Sequence, residues 1–176
     1  MTARIEPRPL PPKALLQAYG REGAGYADCY CTELPSAVPL ATFVEAFYTT
    51  PLFKVEANVL RWVAAKPSTD ADARALAQGA DTFAAWRVEG RTADQLLLAD
   101  FTGRTRSWLM AEPLARPGGS AATRLYFGSA VVPRGARHGN ARGAMGFGFH
   151  ALLGFHKLYS RLLLRAACAR LQAAAS

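Results

Sequence analysis

Apolar and polar positions change their period several times along this chain, and each change marks an element. Residues 25–34, Gly-Tyr-Ala-Asp-Cys-Tyr-Cys-Thr-Glu-Leu, alternate in type, with Tyr26, Asp28, Tyr30 and Thr32 on one face and Ala27, Cys29, Cys31 and Glu33 on the other. A period of two is that of a strand, and Pro35-Ser36 stops it. From Leu40 to Tyr48 the apolar residues Leu40, Phe43, Val44 and Phe47 recur at helical spacing. Pro51 opens a second helix, since proline is tolerated in a first turn. Its stripe is Leu52, Val55, Val59, Leu60 and Val63, and Lys66-Pro67-Ser68-Thr69 ends it. Thr69 or Asp70 caps a third, short helix that runs to Gln78 and is closed by Gly79.

From Thr82 the period returns to two. It predicts strands over Phe83–Glu89, Gln95–Phe101, Arg106–Glu112 and Arg124–Val132, with turns at Gly90-Arg91-Thr92 and Gly103 and a loop over 113–122. Short connections make such strands an antiparallel meander. Residues 134–148, punctuated by Gly135, Gly139, Gly143, Gly146 and Gly148, read as a loop or a flexible helix entry. One long helix follows from Phe147 to Ala175. Its stripe is Leu152, Phe155, Tyr159, Leu162, Leu163 and Ala166, with Lys157, Arg161, Arg165 and Arg170 mostly on the far side. The order of strand, two or three helices, four strands and a long helix predicts an α+β fold. A curved antiparallel sheet has to cover its apolar face, and the C-terminal helix is the natural cover. The short helices then plug one end, and the gap between sheet and helix is the natural place for a cavity. Residues 1–23 read as a Pro-rich arm, extended and ordered in part, with Leu15, Leu16 and Tyr19 docking on the body or on a partner subunit. Residues 24–176 form one domain.

Three segments carry a resemblance. They are Asp-Cys-Tyr-Cys-Thr-Glu-Leu-Pro at 28–35, Leu-Leu-Ala-Asp-Phe-Thr-Gly-Arg-Thr-Arg-Ser-Trp at 97–108, and Gly-Phe-His-Lys-Leu-Tyr-Ser-Arg-Leu-Leu-Leu-Arg at 154–165. With the element order they resemble the START-like (SRPBCC, polyketide cyclase-like) helix-grip superfamily. Within it they resemble an uncharacterised bacterial domain family. Phe155-His156 and Arg161 match that family's helix pattern, while Gly154 stands where the family commonly has proline. The resemblance covers residues 24–172 or so. It implies a curved sheet wrapped around the C-terminal helix and a ligand cavity between them, and it supplies no established catalytic residues. Some members sit beside nicotinamide-binding epimerase-like domains, which points to small-molecule metabolism; no such domain is read in this chain.

Composition narrows the classes. At 176 residues, 51% hydrophobic and 19% charged, the chain can bury a real core and is no disordered tail. Its mean hydropathy is +0.02, and no apolar run reaches the ~20 residues of a membrane span. Lys and Arg exceed Asp and Glu by 21 to 13, for a net charge of +8. Such a surplus attracts phosphates, anionic lipids or acidic ligands. Cys29, Cys31 and Cys168 form no disulfide framework. Cys29 and Cys31 share one strand face and read as small buried hydrophobes. Reduced thiols and a polar, Pro-rich start without an apolar leader core predict a cytoplasmic protein.

Candidate chemistry is sparse. His138, His150 and His156 are far apart without paired carboxylates, so no metal is expected. Gly146-Phe-Gly-Phe-His lacks the context of a dinucleotide fingerprint, and Arg134–Arg142 matches no phosphate loop, so no cofactor is expected. Ser129 and Ser160 have no evident base. Asp100, Arg104 and Arg106 surround one hairpin, where the Asp pairs with either Arg and fixes the turn. If their faces agree, Trp86, Trp108 and Tyr126 line a pocket on neighbouring strands, which His156 and Tyr159 reach from the helix. A binding module for a small apolar or aromatic molecule follows, with those five residues as its lining. An enzyme of cyclase, dehydratase or hydrolase type is the alternative, with His156 as acid/base and Arg106 or Asp100 orienting. A third reading is peripheral contact with a membrane or an acidic partner through the basic helix face. Nucleic acid is not expected, for want of a stacking platform with interleaved cations; a homodimer stays open.

Overall fold

A computed structural model of the chain describes residues 4–20, 26–53, 69–116, 118–132 and 147–174, the last with side chains from Lys157 onward. Seven strands form one antiparallel sheet: β1 (Glu6–Pro7), β2 (Tyr26–Leu34), β3 (Thr82–Phe83), β4 (Trp86–Arg91), β5 (Gln95–Asp100), β6 (Thr105–Leu114) and β7 (Ala122–Val131), in the order β1-β2-β7-β6-β5-β4-β3. Among the described residues the α-helices with both ends described are α1 (Leu40–Tyr48), α2 (Asp70–Ala77) and α3 (Phe147–Ala174). The fold is α+β, a curved antiparallel sheet with a C-terminal helix. Among the described residues no helix is long and apolar enough to cross a membrane.

The helices end where local chemistry ends them. Thr69 accepts a hydrogen bond from the Asp72 amide, and the Asp72 carboxylate accepts one from the Thr69 amide. That reciprocal capping box satisfies two otherwise orphaned donors at the start of α2. Gly79, at φ +119°, then turns the chain out of the helix. Of the second expected helix, residues 51–53 are helical; Val55, Val59, Leu60 and Val63 lie outside the described residues, as does the Gly/Arg stretch 134–146.

Two boundaries differ from the periodicity. The strand expected over Phe83–Glu89 is a two-residue hairpin followed by β4: Phe83 pairs with Trp86, and Ala84 takes a left-handed φ of 50° in the turn. Gly90 lies inside β4, at a register shift between Val88 and Gly90. The loop expected over 113–122 is shorter, because β6 and β7 pair as far as Leu114 opposite Ala122.

Both faces of the sheet are covered. On the inner face, Phe43, Phe47 and Tyr48 of α1 and Leu163, Leu164, Ala167, Cys168 and Leu171 of α3 join Leu34, Leu96, Leu98, Leu109, Leu125 and Phe127 in the main core. Tilted aromatic pairs tie it together, with Phe47 and Phe127 centroids 4.7 Å apart and Tyr48 and Phe83 5.0 Å apart. On the outer face the N-terminal stretch supplies the cover. Glu6 pairs with Cys31 in β1–β2, and residues 15–19 form a single 3-10 turn that drives Leu16, fully buried, onto Cys29, Cys31, Leu97, Trp108, Met110 and Tyr126. Of the two dockings expected for Leu15, Leu16 and Tyr19, the structure has the one on the body. The described part of the arm is also more than an extended strand.

Candidate functional site

The inner face changes character along β2, β7 and β6. Strand register sets Tyr30, Phe127 and Leu109 side by side, then Thr32, Leu125 and Ala111, and these rungs are buried and largely apolar. Toward the other end the next rung is Asp28, Ser129 and Ser107, followed by Tyr26, Val131 and Thr105. Three polar residues thus lie abreast on adjacent strands, on the face that α1 and α3 cover.

Hydrogen bonds organise that rung. Asp28 Oδ1 accepts from Ser129 Oγ at 2.6 Å and from the Ser129 amide at 3.2 Å, and Asp28 Oδ2 accepts from the Tyr26 hydroxyl at 3.2 Å. The Tyr48 hydroxyl, brought down from the last turn of α1, shares a 2.8 Å hydrogen bond with Ser107 Oγ. Burial, followed by the charge of Asp28, pushes the Tyr26 phenol well above its ordinary range. The same two causes raise Tyr30, against the opposing guanidinium of Arg161. Both phenols therefore stay protonated at neutral pH and can donate. From α3, Arg161 stands 5.3 Å from the Tyr30 ring centre and Lys157 Nζ stands 5.9 Å from that of Tyr26. Ser160, fully buried on the core face of the same helix, has an Oγ without a hydrogen-bond partner among the described residues.

A carboxylate is far too weak a base to remove a serine proton, so the Asp28–Ser129 pair presents fixed lone pairs and charge. Ser129, which showed no evident base in the sequence, has Asp28 as its acceptor.

Of the five residues expected to line a pocket, the four whose side chains are described divide between the two faces. Trp86 and Tyr159 pack against the inner core, and the Tyr159 hydroxyl lies 3.5 Å from the Leu52 carbonyl oxygen. Trp108 and Tyr126 point to the outer face, where they pack against the arm. The Trp108 indole donates to Gln95 Oε1 at 3.0 Å, and the Tyr126 hydroxyl donates to Glu112 at 3.0 Å. Their faces do not agree with that of Trp86, so these two lie on the far side of the sheet from α3. The reason is register: Trp108 opposes Gly128 and Leu97, one residue out of phase with the inner rung of Ser107, Ser129 and Leu98. The His156 side chain lies outside the described residues, as do those of His138 and His150.

The hairpin charges also divide. Asp100 fixes its turn through the backbone, accepting from the Arg104 and Thr105 amides at 2.7 and 3.0 Å, and forms no ion pair with Arg104 or Arg106 among the described residues. Arg106 turns to the outer face, 2.9 Å from Glu89 and 4.5 Å from the centre of the Tyr19 ring. The sheet separates it from groups on α3, so Arg106 cannot orient a substrate for His156. Cys29 and Cys31 are buried on the outer face, as two small hydrophobes would be. Burial pushes the Cys29 thiol up to about 12 and raises Cys31 against the opposing charges of Arg8 and Arg124. Above Cys31 lies a half-open groove of about 260 Å³ at the β1–β2 edge. Its arginines are taken up in ion pairs, Arg4 and Arg8 with Glu6 and Arg124 with Glu33.

Sequence reasoning put Tyr26, Asp28 and Tyr30 on one face but did not single them out, and it missed Ser107 and Tyr48. The available signal was only that Tyr26, Asp28 and Tyr30 share one strand face; register brings Ser129 and Ser107 beside them. In comparisons with known proteins, the chain matches no family model, no curated protein and no solved structure.

Proposed function

We propose that this chain is a START-like helix-grip protein that holds a small, mainly apolar or aromatic molecule between the sheet and α3. The polar rung Asp28–Ser129–Ser107, with Tyr26 and Tyr48, reads the polar end of that molecule. Trp86 and Tyr159 contribute to the walls. One observation carries the reading: three adjacent strands place polar side chains side by side on a helix-covered face whose other rungs are largely apolar. Burying such groups costs free energy that an apolar core of the same shape avoids. A rung retained there fits recognition better than stability. Pockets for small molecules combine mostly apolar walls with a few convergent polar groups.

Thermal-shift and native mass spectrometric screening of the full chain with aromatic acids, phenols and fatty acids tests this. A ligand at a hundred times its Kd raises stability by about 2.7 kcal/mol, an upward shift in Tm of several degrees. Asp28→Asn and Tyr48→Phe are expected to weaken binding about tenfold, the loss of one hydrogen bond to a charged or buried group. Trp108→Phe, on the outer face, is expected to leave affinity unchanged. Hits indifferent to both inner-face substitutions, or a library without hits, would overturn the proposal.

A further inference from the structure

Among the described residues three large apolar side chains stay exposed: Phe101, Leu158 at 57% and Leu162 at 40%. Leu158 and Leu162 lie one turn apart on the outer side of α3, in line with the exposed Ala169 and Ala173. Exposed cations flank that line, Arg161 and Arg165 on one side and Arg170 on the other, with Lys157 at the start. Residues 147–174 contain no Asp or Glu.

Elsewhere among the described residues cations are mostly neutralised. Arg8, Lys13, Arg74, Arg106, Arg116 and Arg124 each stand within 4.0 Å of a carboxylate, whereas Lys157, Arg161, Arg165 and Arg170 form no ion pair among the described residues. Arg161 rests on Tyr30, and Arg170 reaches the Thr49 carbonyl at 3.4 Å. In both contacts the guanidinium head is the contacting group, and both residues stay exposed overall.

We infer that this face of α3 docks on an anionic lipid surface. A helix lying in the bilayer interface needs an apolar line that enters the acyl boundary and cations beside it that meet the phosphates. Leu158 and Leu162 are that line, and Arg161, Arg165 and Arg170 are those cations. A second copy of the chain fits poorly, because α3 against α3 would set cation against cation with no acid on either side. This surface borders the inner-face site, with Arg161 and Lys157 at the shared edge through their contacts with Tyr30 and Tyr26, but Leu162 and Arg165, which the test substitutes, are not among the residues that the ligand reading uses.

Co-sedimentation of the full chain with vesicles of phosphatidylcholine containing about one-third phosphatidylserine, against pure phosphatidylcholine, tests the inference. Binding is expected to the anionic vesicles at low salt, and its loss at high salt or on the neutral vesicles. Leu162→Asp and Arg165→Glu, both at exposed positions, are each expected to weaken it at least about fivefold. Arg87→Glu, an exposed cation on the sheet, is the control and is expected to bind as the parent does. Circular dichroism checks that each variant is folded. No binding to anionic vesicles would overturn the inference, as would binding indifferent to both α3 substitutions. So would a vesicle-free dimer, seen by analytical ultracentrifugation, that Leu162→Asp dissolves.

Discussion

At Gly128, in the middle of β7, Leu16 occupies the place a side chain would take. A Cβ there would lie 2.8 Å from Leu16 Cδ2 and 2.9 Å from both Trp108 Cε3 and the Asp28 carbonyl oxygen. The missing methyl makes the hole that receives the arm, directly behind the polar rung. Gly128→Ala is expected to destabilise the protein by about 1–3 kcal/mol through overpacking, and Leu16→Ala by about 2–5 kcal/mol through a cavity. The double variant should cost less than the sum, because removing Leu16 relieves one clash and leaves only those with Trp108 and the Asp28 backbone. Urea denaturation of the four proteins measures the coupling, and strict additivity would mean that Leu16 does not fill this hole. In the sequence Gly128 is merely a glycine inside a strand. Its partner lies 112 positions away.

Among the elements, the N-terminal stretch binds the sheet through more than its leucine. Gln95 Oε1 accepts from both the Leu15 amide, at 2.9 Å, and the Trp108 indole, while Gln95 Nε2 donates to the Lys13 carbonyl at 3.1 Å. Lys13 pairs with Asp94 and Glu112. The Tyr19 hydroxyl bonds Glu89, which is held in turn by Arg106. The register shift in β4 serves this docking, since Gly90 pairs with Leu97 and leaves room for Leu15, whose Cδ1 would sit 3.3 Å from a Cβ there. A chain lacking residues 1–20 is therefore expected to lose the cover of Trp108, Met110 and Leu97. Tryptophan emission should shift to the red, ANS should bind, and stability should fall by more than the Leu16→Ala variant loses. Unchanged emission and Tm would show that the arm is dispensable. The signal for this second layer was present in the composition of β5 and β6. Leu96 to Ala99 and Trp108 to Ala111 are apolar without alternation, as strands buried on both faces are.

For the whole molecule, buried thiols and phenols set the alkaline limit. Cys29 and Cys168 are pushed up to about 12 by burial, from an ordinary value near 9. Between those values the unfolded chain has released protons that the folded chain still holds. Stability is thus full below about pH 9 and falls as pH rises toward 12, by about 1.4 kcal/mol per pH unit for each thiol. Tyr26, raised from 10, adds to the same slope from about pH 10. On the acid side Glu33, held low first by its hydrogen bond from Arg124, contributes stability that is lost as pH falls through its range; the pair is surface-exposed and its share small. Urea midpoints between pH 7 and pH 10.5 should decline steeply above pH 9, and Cys168→Ala should make the decline shallower. A flat profile would contradict the burial of these thiols.

Local chemistry by itself determined the helix over 40–48, the capped helix after Thr69, the long C-terminal helix and the positions of the main strands. It also set Tyr26, Asp28 and Tyr30 on one face, because alternation is a property of neighbouring residues. Which face meets the helices was decided only by the tertiary structure. Parity across a sheet is inherited from strand register, and register here is set jointly by the hairpins, by the bulge at Gly90 and by an arm some 80 residues from the strands it covers. Where apolar residues occupy both faces, as around Trp108, alternation carries no sign to choose between them. Trp108 and Tyr126 therefore went to the arm, and Asp28, Ser129, Ser107 and Tyr48 came together beneath the helices.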